Sequence, residues 1–141
     1  MKPTNVQRGP VAVSARRERG FSLLELMTVL VIVGVLAAIA WPSYQSYVIR
    51  SNRAAAQSFM MSVANRQEQY ILTNRSYAAT TAALSLTAPP ETNGRYTFAI
   101  TNPGGATTYL VTATAIGNQV SDGDLTLSSD GTKTPADKWR K

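Results

Sequence analysis

The sequence predicts an α+β architecture: one long helix, apolar in its first half, whose second half packs on an antiparallel β-meander of three or four strands. Three observations lead there. Between Glu25 and Arg50 run 24 residues without a charge. Ala56, Met60, Val63 and Tyr70 recur at spacings of three, four and seven, the signature of one helix face. From Tyr96 onward the period drops to two, with turn-forming residues between the alternating runs.

The first element is a basic leader. The 141 residues include 14 Lys or Arg and 8 Asp or Glu, a net charge of +6. Five cations (Lys2, Arg8, Arg16, Arg17 and Arg19) face Glu18 alone in residues 1–20, so +4 of that charge precedes the apolar run. The rest carries 9 cations and 7 carboxylates, too even a balance for nucleic-acid binding by overall charge. His and Cys are both absent. That removes Ser-His-Asp and Cys-His centres, His or Cys metal sites, dithiol redox chemistry and disulfides. No residue set suggests catalysis or a resident cofactor. Only 16% of residues are charged, against about a quarter in a soluble domain, so part of this chain belongs outside water.

That part is residues 21–41. A bilayer core of about 30 Å needs roughly 20 apolar residues as helix, and the arginines before the run place the N-terminus on the cytoplasmic side. Three readings compete. A secretory signal would use Ala38 and Ala40 as its small-residue cleavage site, but the run is long for one. A plain signal anchor explains the length and not Glu25, a carboxylate that costs free energy inside a membrane. The third reading cuts the chain between Gly20 and Phe21. The new amine at Phe21 then stands four residues from Glu25 on one helical face, so the two charges neutralise each other within one chain or between neighbours.

Residues 19–26, Arg-Gly-Phe-Ser-Leu-Leu-Glu-Leu, resemble the class III signal of type IV prepilins. The continuation from Trp41 and Pro42 through Tyr44, Tyr47 and Arg50 is similar to the type IVa pilins, especially the PilE-like group that includes minor pilins. The resemblance implies that a prepilin peptidase cuts after Gly20 and methylates Phe21. It also implies that the chain waits in the bacterial inner membrane, single-pass with its N-terminus cytoplasmic. An ATP-driven inner-membrane platform then moves it into a helical, extracellular fibre of pilin subunits, which serves adhesion, twitching motility or DNA uptake. Glu25 would meet the Phe21 amine of a neighbour and set axial register. The implied organisation is a cleaved leader at 1–20, an assembly helix at 21–49 and a globular domain at 50–141. Twenty residues is a long leader for this group, which makes Val11 or Val13 an alternative start.

The remaining elements follow in order. Residues 22–73 read as one helix of about 78 Å, with Gly34 and Pro42 marking a helix break. Phe59 and Ile71 flank its apolar stripe, and Arg53, Gln57, Asn65, Arg66 and Glu68 supply polar positions. Residues 73–93 form a turn-rich loop pinned by Leu84 and Leu86, with a weak glycosylation sequon at Asn74-Arg75-Ser76. Tyr96, Phe98 and Ile100 alternate with polar or small residues, as do Tyr109, Val111, Ala113 and Ala115. Asp122-Gly123 turns the chain into a strand holding Leu125 and Leu127, and Asp130-Gly131 ends it.

PilE-like pilins close this region with a Cys pair, and the resemblance sets Asp122 and Lys138 where those cysteines would fall. An Asp122–Lys138 ion pair with Trp139 is then expected to close the C-terminal loop in place of a disulfide. A disulfide closing about 15 residues gives about 3 kcal/mol, and an exposed ion pair about 0–1. Two other readings stay open here. The first alternative function is a type II secretion pseudopilin, a class that holds calcium near its C-terminus, and Asp122 and Asp124, with Asp130 or Asp137, are a weak calcium set of that kind. Lys133, Lys138, Arg140 and Lys141, with Trp139 for stacking, offer a DNA contact for a competence pilin.

Overall fold

The computed structural model describes residues 20–140; the predicted leader at 1–19 and Lys141 lie outside the described residues. Helix α1 runs from Leu23 to Asn74, one residue later at each end than the sequence periodicity suggests. It starts where Leu26 N–H donates to Ser22 C=O at 3.1 Å. It ends with two devices that satisfy orphan carbonyls. Arg75 N–H donates to Ile71 C=O at 2.8 Å, and Asn74 Nδ2 donates to Tyr70 C=O at 3.0 Å. Arg75 then takes a φ of 55°, which stops the helix.

In the single subunit α1 is helical without interruption through Gly34 and Pro42. Proline removes one donor and leaves the carbonyl four residues earlier without its partner. That carbonyl belongs to Ala38, which is exposed, so the missing bond is not a buried one. Ser46 Oγ in turn donates to Pro42 C=O at 3.1 Å.

The chain forms two compact units that divide at Ile39 and Ala40, within α1. In the first unit every described side chain is exposed, including Phe21, Leu24, Leu30, Val31 and Leu36. The second unit holds the core. There α1 turns Ala56, Phe59, Met60 and Val63 inward.

The sheet has four antiparallel strands in sequence order, β1 (Tyr96–Thr101), β2 (Leu110–Ala115), β3 (Leu125–Ser128) and β4 (Lys133–Thr134). Register follows the period-two pattern. Tyr96 pairs with Ala115, Phe98 with Ala113 and Ile100 with Val111, while Leu127 and Leu125 extend the same rows from β3. One face thus gathers Tyr96, Val111, Ala113, Leu125 and Leu127 into the core with the α1 stripe. Phe59 meets Phe98 edge to face with centroids 4.6 Å apart, and Tyr77 meets Tyr109 in the same way at 4.8 Å.

The loop after α1 is held by one side chain. Gln67 is fully buried; its Nε2 donates to Ala78 C=O at 2.7 Å and its Oε1 accepts from Ala78 N–H at 2.8 Å. A buried amide thereby supplies both partners that a buried backbone residue needs. Replacing Gln67 with Ala leaves both Ala78 groups unpaired, at about 1–3 kcal/mol each. Chemical denaturation of Gln67→Ala is expected to show a loss of about 2 kcal/mol or more, against under about 0.5 for the exposed neighbour change Gln69→Ala. Equal losses in the two variants would refute the clamp.

Candidate functional site

Two regions carry the chemistry. The first is the start of the helix. Gly20 and Phe21 are exposed, and Glu25 stands in the first turn of α1, where a carboxylate complements the helix dipole. A Cβ built on Gly20 meets nothing within 4 Å. Among the described residues the fold imposes no steric need for glycine there. Phe21 is 80% exposed, and the apolar run behind it packs on nothing among the described residues. A surface of that extent requires lipid or other protein.

The second region centres on Asp122, at the end of a 3₁₀ segment running from Gly117 to Asp122. Gly123 follows with φ of 82°, a left-handed turn that glycine adopts freely, and this turn sets the carboxylate inward. The Asp122 side chain is 2% exposed and touches two cations. Arg53 clamps it in a fork: Nε donates to Oδ2 at 2.8 Å and Nη2 donates to Oδ1. Lys138 Nζ lies 3.5 Å from Oδ1. Tyr96 OH donates to Oδ2 at 2.8 Å, and Gln119 Nε2 lies 3.2 Å from the same oxygen. Gln119 also donates to Ile49 C=O at 3.0 Å and accepts at Oε1 from Asn52 at 3.3 Å.

The charges respond accordingly. Burial pushes the Asp122 carboxyl up, but the hydrogen bonds from Arg53, Tyr96 and Gln119 and the Arg53 charge outweigh it and hold it below its usual range. The bond to Asp122 raises the Arg53 guanidinium against the cost of burial. Burial, joined by the bond to Asp122, pushes the Tyr96 hydroxyl well above the ordinary phenol.

Sequence reasoning listed Arg53 among the polar positions and gave Asp122 to Lys138, a contact that is present at 3.5 Å. The structure makes Arg53 the main partner, and Tyr96, Gln119 and Asn52 were missed. A signal existed: Arg53 stands three residues before Ala56 and seven before Met60, on the buried stripe, and a cation there needs an anion. The C-terminal segment is tied separately, since Gln57 Nε2 donates to Lys138 C=O at 2.9 Å.

The remaining sequence candidates are placed as follows. Trp139 packs on the core edge and donates from Nε1 to Thr134 C=O at 3.3 Å. Lys133 Nζ covers its ring at 5.3 Å from the centroid, so one face is already occupied by a cation. Arg140 is exposed. The calcium set does not fit. Asp122 is committed to Arg53, Asp124 Oδ1 accepts from Ala115 N–H at 2.8 Å, and Asp130 caps its own turn by accepting from Thr132 N–H at 2.8 Å. Among the described residues no three acids cluster as metal ligands. The sequon Asn74 is engaged in the helix end.

A long helix with an exposed apolar half and a half covered by a meander defines a class of subunits made to anchor in membranes and assemble through that helix. The comparisons agree. The profile described as "Prokaryotic N-terminal methylation motif" matches residues 15–41, and "Type IV minor pilin ComP, DNA uptake sequence receptor" matches residues 42–126. The fimbrial protein EcpC of Eikenella corrodens is 34% identical over 117 residues, 82% of this chain and 75% of its own length. A fimbrial protein of Neisseria meningitidis serogroup B is 27% identical over 110 residues, 78% of this chain and 65% of its own length. Type II secretion system core protein G of Dickeya chrysanthemi is 36% identical over 81 residues, 54% of this chain and 53% of its own length. A type IV pilin structure from Shewanella oneidensis shares the fold at a TM-score of 0.51 and 23% identity, over 62% of this chain and 92% of that one. The chain belongs to the type IV pilin family, and its role is that of a pilin subunit that assembles with other pilins.

The Asp122 centre makes two measurable demands. Breaking a buried, forked pair costs about 3–5 kcal/mol, and a partly exposed single contact about 0–1. Asp122→Asn is expected to lose about 3 kcal/mol or more, and Lys138→Met under about 1. Because the folded carboxyl sits below its unfolded value, its contribution is complete above the ordinary carboxylate range and disappears as pH falls through the lowered folded value. Acid denaturation curves of Asp122→Asn should therefore be flatter than wild type below about pH 4. Parallel curves would remove Asp122 as a source of the pH dependence.

Proposed function

We propose that this chain is cut between Gly20 and Phe21 by a prepilin peptidase and methylated at the Phe21 amine. Residues 21–49 then hold it in the inner membrane, and an assembly platform builds it into an extracellular type IV pilus. Residues 50–141 form the exposed domain, and the part is structural with no catalytic role. The observation that carries this reading is the conjunction at the helix start. Gly20 has open space and no steric reason to be glycine, Phe21 is exposed, and Glu25 stands one turn on. An exposed, glycine-marked junction suits a peptidase. An unpaired carboxylate at the head of an apolar helix suits the amine of a neighbouring subunit, which fixes register. Gly34 and Pro42 belong to the segment that unwinds in the fibre under this reading. Asp122, with Lys138 and Trp139 beside it, closes the C-terminal loop where related pilins use a disulfide.

Intact mass and N-terminal fragmentation of protein sheared from cells test the proposal. Wild type is expected to begin at methylated Phe21. Gly20→Val should accumulate uncut in the membrane, while Glu25→Leu should be cut normally and fail to appear in the sheared fraction. A wild-type chain still carrying residues 1–20 would sink the processing step, and a Glu25→Leu chain that assembles normally would sink the register role.

A second reading is favoured by the match of residues 42–126 to a profile described as a DNA uptake sequence receptor. Within that stretch Arg50, Arg66, Arg75 and Arg95 form no ion pair with any described residue. Duplex DNA binding is expected to weaken steeply with salt, the slope reporting the number of phosphates neutralised. Affinity that ignores salt would exclude phosphate contacts by these arginines.

A further inference from the structure

Within the globular unit lies a groove of about 460 Å³ that neither the Asp122 centre nor the helix start uses. Its floor comes from α1, with Trp41, Tyr44 and Val48 among the lining residues. Its wall comes from Arg95, just before β1, and from Asn118 and Ser121 of the 3₁₀ segment. The groove therefore has an aromatic and aliphatic side and a polar side. Arg95 is its only charged lining residue, and no carboxylate lines it. Arg95 forms no ion pair with any described residue.

Two further facts fix what such a groove suits. Trp41 and Tyr44 are 68% and 66% exposed, although they are large aromatics, and they follow directly on the apolar run. A bilayer core of about 30 Å is crossed by about 20 helical residues, and each headgroup layer adds roughly 5–8 Å. Counted from Phe21, the core is used up at about residue 40, so residues 41–45 occupy the headgroup layer at 1.5 Å per residue. Aromatic residues with one polar end favour that layer. Arg95, half-buried, lines the same groove as these aromatics, and a long cationic side chain can lay its stem on apolar surface while its charge stays among headgroups.

We propose that this groove binds the phosphate headgroup of an anionic phospholipid, in the leaflet on the globular-domain side, while the subunit is still in the membrane. Arg95 pairs with the phosphate, Asn118 and Ser121 supply hydrogen bonds, and Trp41 and Tyr44 lie along the glycerol and upper acyl region. The inference rests on residues 21–41 spanning the bilayer. It gives the exposed aromatics and the unpaired arginine one common partner. Nucleic acid suits the groove less well, since phosphate-backbone binding works by neutralising several charges together and one cation lines this site. The bound headgroup would hold the globular unit against the membrane surface until the subunit is extracted.

The test uses the full chain, inserted into bilayers made from equal parts phosphatidylglycerol and phosphatidylcholine. The lipids retained by the detergent-extracted protein are then measured by native mass spectrometry. Wild type should retain phosphatidylglycerol in excess. Arg95→Gln should reduce that excess by roughly fivefold, the effect of one surface cation on anionic lipid. Asn118→Asp, which sets a carboxylate in the groove, should reduce it as well, and Gln69→Ala, away from the groove, should leave it unchanged. Retention of both lipids in their bilayer proportion by wild type would overturn the proposal, as would undiminished phosphatidylglycerol in Arg95→Gln. An Arg95→Gln chain that loses affinity for a duplex oligonucleotide while keeping its lipid excess would overturn it and reassign the groove to nucleic acid. Flotation with the vesicles, run in parallel, separates two failures. Wild type that does not float refutes the span, whereas wild type that floats without selecting phosphatidylglycerol refutes the groove alone.

Discussion

A carboxylate brought into a protein interior has to be matched there, and in this chain the match decides how the globular unit closes. Asp122 collects Arg53 from the helix, Tyr96 from the first strand, Gln119 from its own turn and Lys138 from the C-terminal segment. Four stretches far apart in sequence thus converge on two oxygen atoms. None of these groups is well placed without the others, because each donor would otherwise lose water and gain nothing. Net stability from such a centre is modest. Its stronger effect is on geometry, since the fork of Arg53 admits one orientation of the carboxylate. The 3₁₀ turn, the start of β1 and the last residues are set relative to the helix by that orientation.

The chain contains no cysteine, so no covalent bond closes the C-terminal region. What stands there differs in kind from a disulfide. A disulfide acts chiefly on the unfolded chain, whose freedom it restricts. The Asp122 centre acts only on the folded state and depends on ionisation. The bond from Gln57 to the Lys138 carbonyl and the packing of Trp139 add closure that carries no charge. Closure is therefore distributed over several weak contacts with different sensitivities, and acid weakens only part of it.

The architecture was legible in the sequence because it rests on two periodicities. Spacing by three and four around Met60 and Val63 could only be a helix face, and alternation around Phe98 and Val111 could only be strands. β4 was not legible, since two residues, Lys133 and Thr134, have no period to detect. Nor were the partners of Asp122. Arg53 was read only as a polar position and Gln67 was not singled out, yet both continue the buried stripe at three- and four-residue spacings. Polar side chains on such a stripe mark places where another segment must come to meet them. Gln67 meets Ala78 and Arg53 meets Asp122, but which segment arrives depends on tertiary contacts separated by 11 and 69 residues. Trp139 was open to two readings, closure of the C-terminal loop and stacking on a base; it packs on the core edge while Lys133 lies over its ring.

The helix start shows a different limit. No packing, turn or left-handed conformation in the subunit requires Gly20, and no cation of the described chain pairs with Glu25. Residues that a fold does not explain are explained by what the chain meets. Under the processing and assembly proposed above, the same short stretch meets a peptidase, a bilayer and other pilins, and each encounter asks something different of it. The exposed apolar side chains from Phe21 to Trp41 satisfy the last two in turn, since lipid tails and neighbouring helices are equally acceptable apolar surroundings. Glu25 does not share that indifference. In lipid it is an unfavourable charge; beside a neighbour's amine it is neutralised. Under that same proposal the free-energy difference between those two states lies in the direction of assembly, and it resides in one carboxylate that pairs with no cation among the described residues.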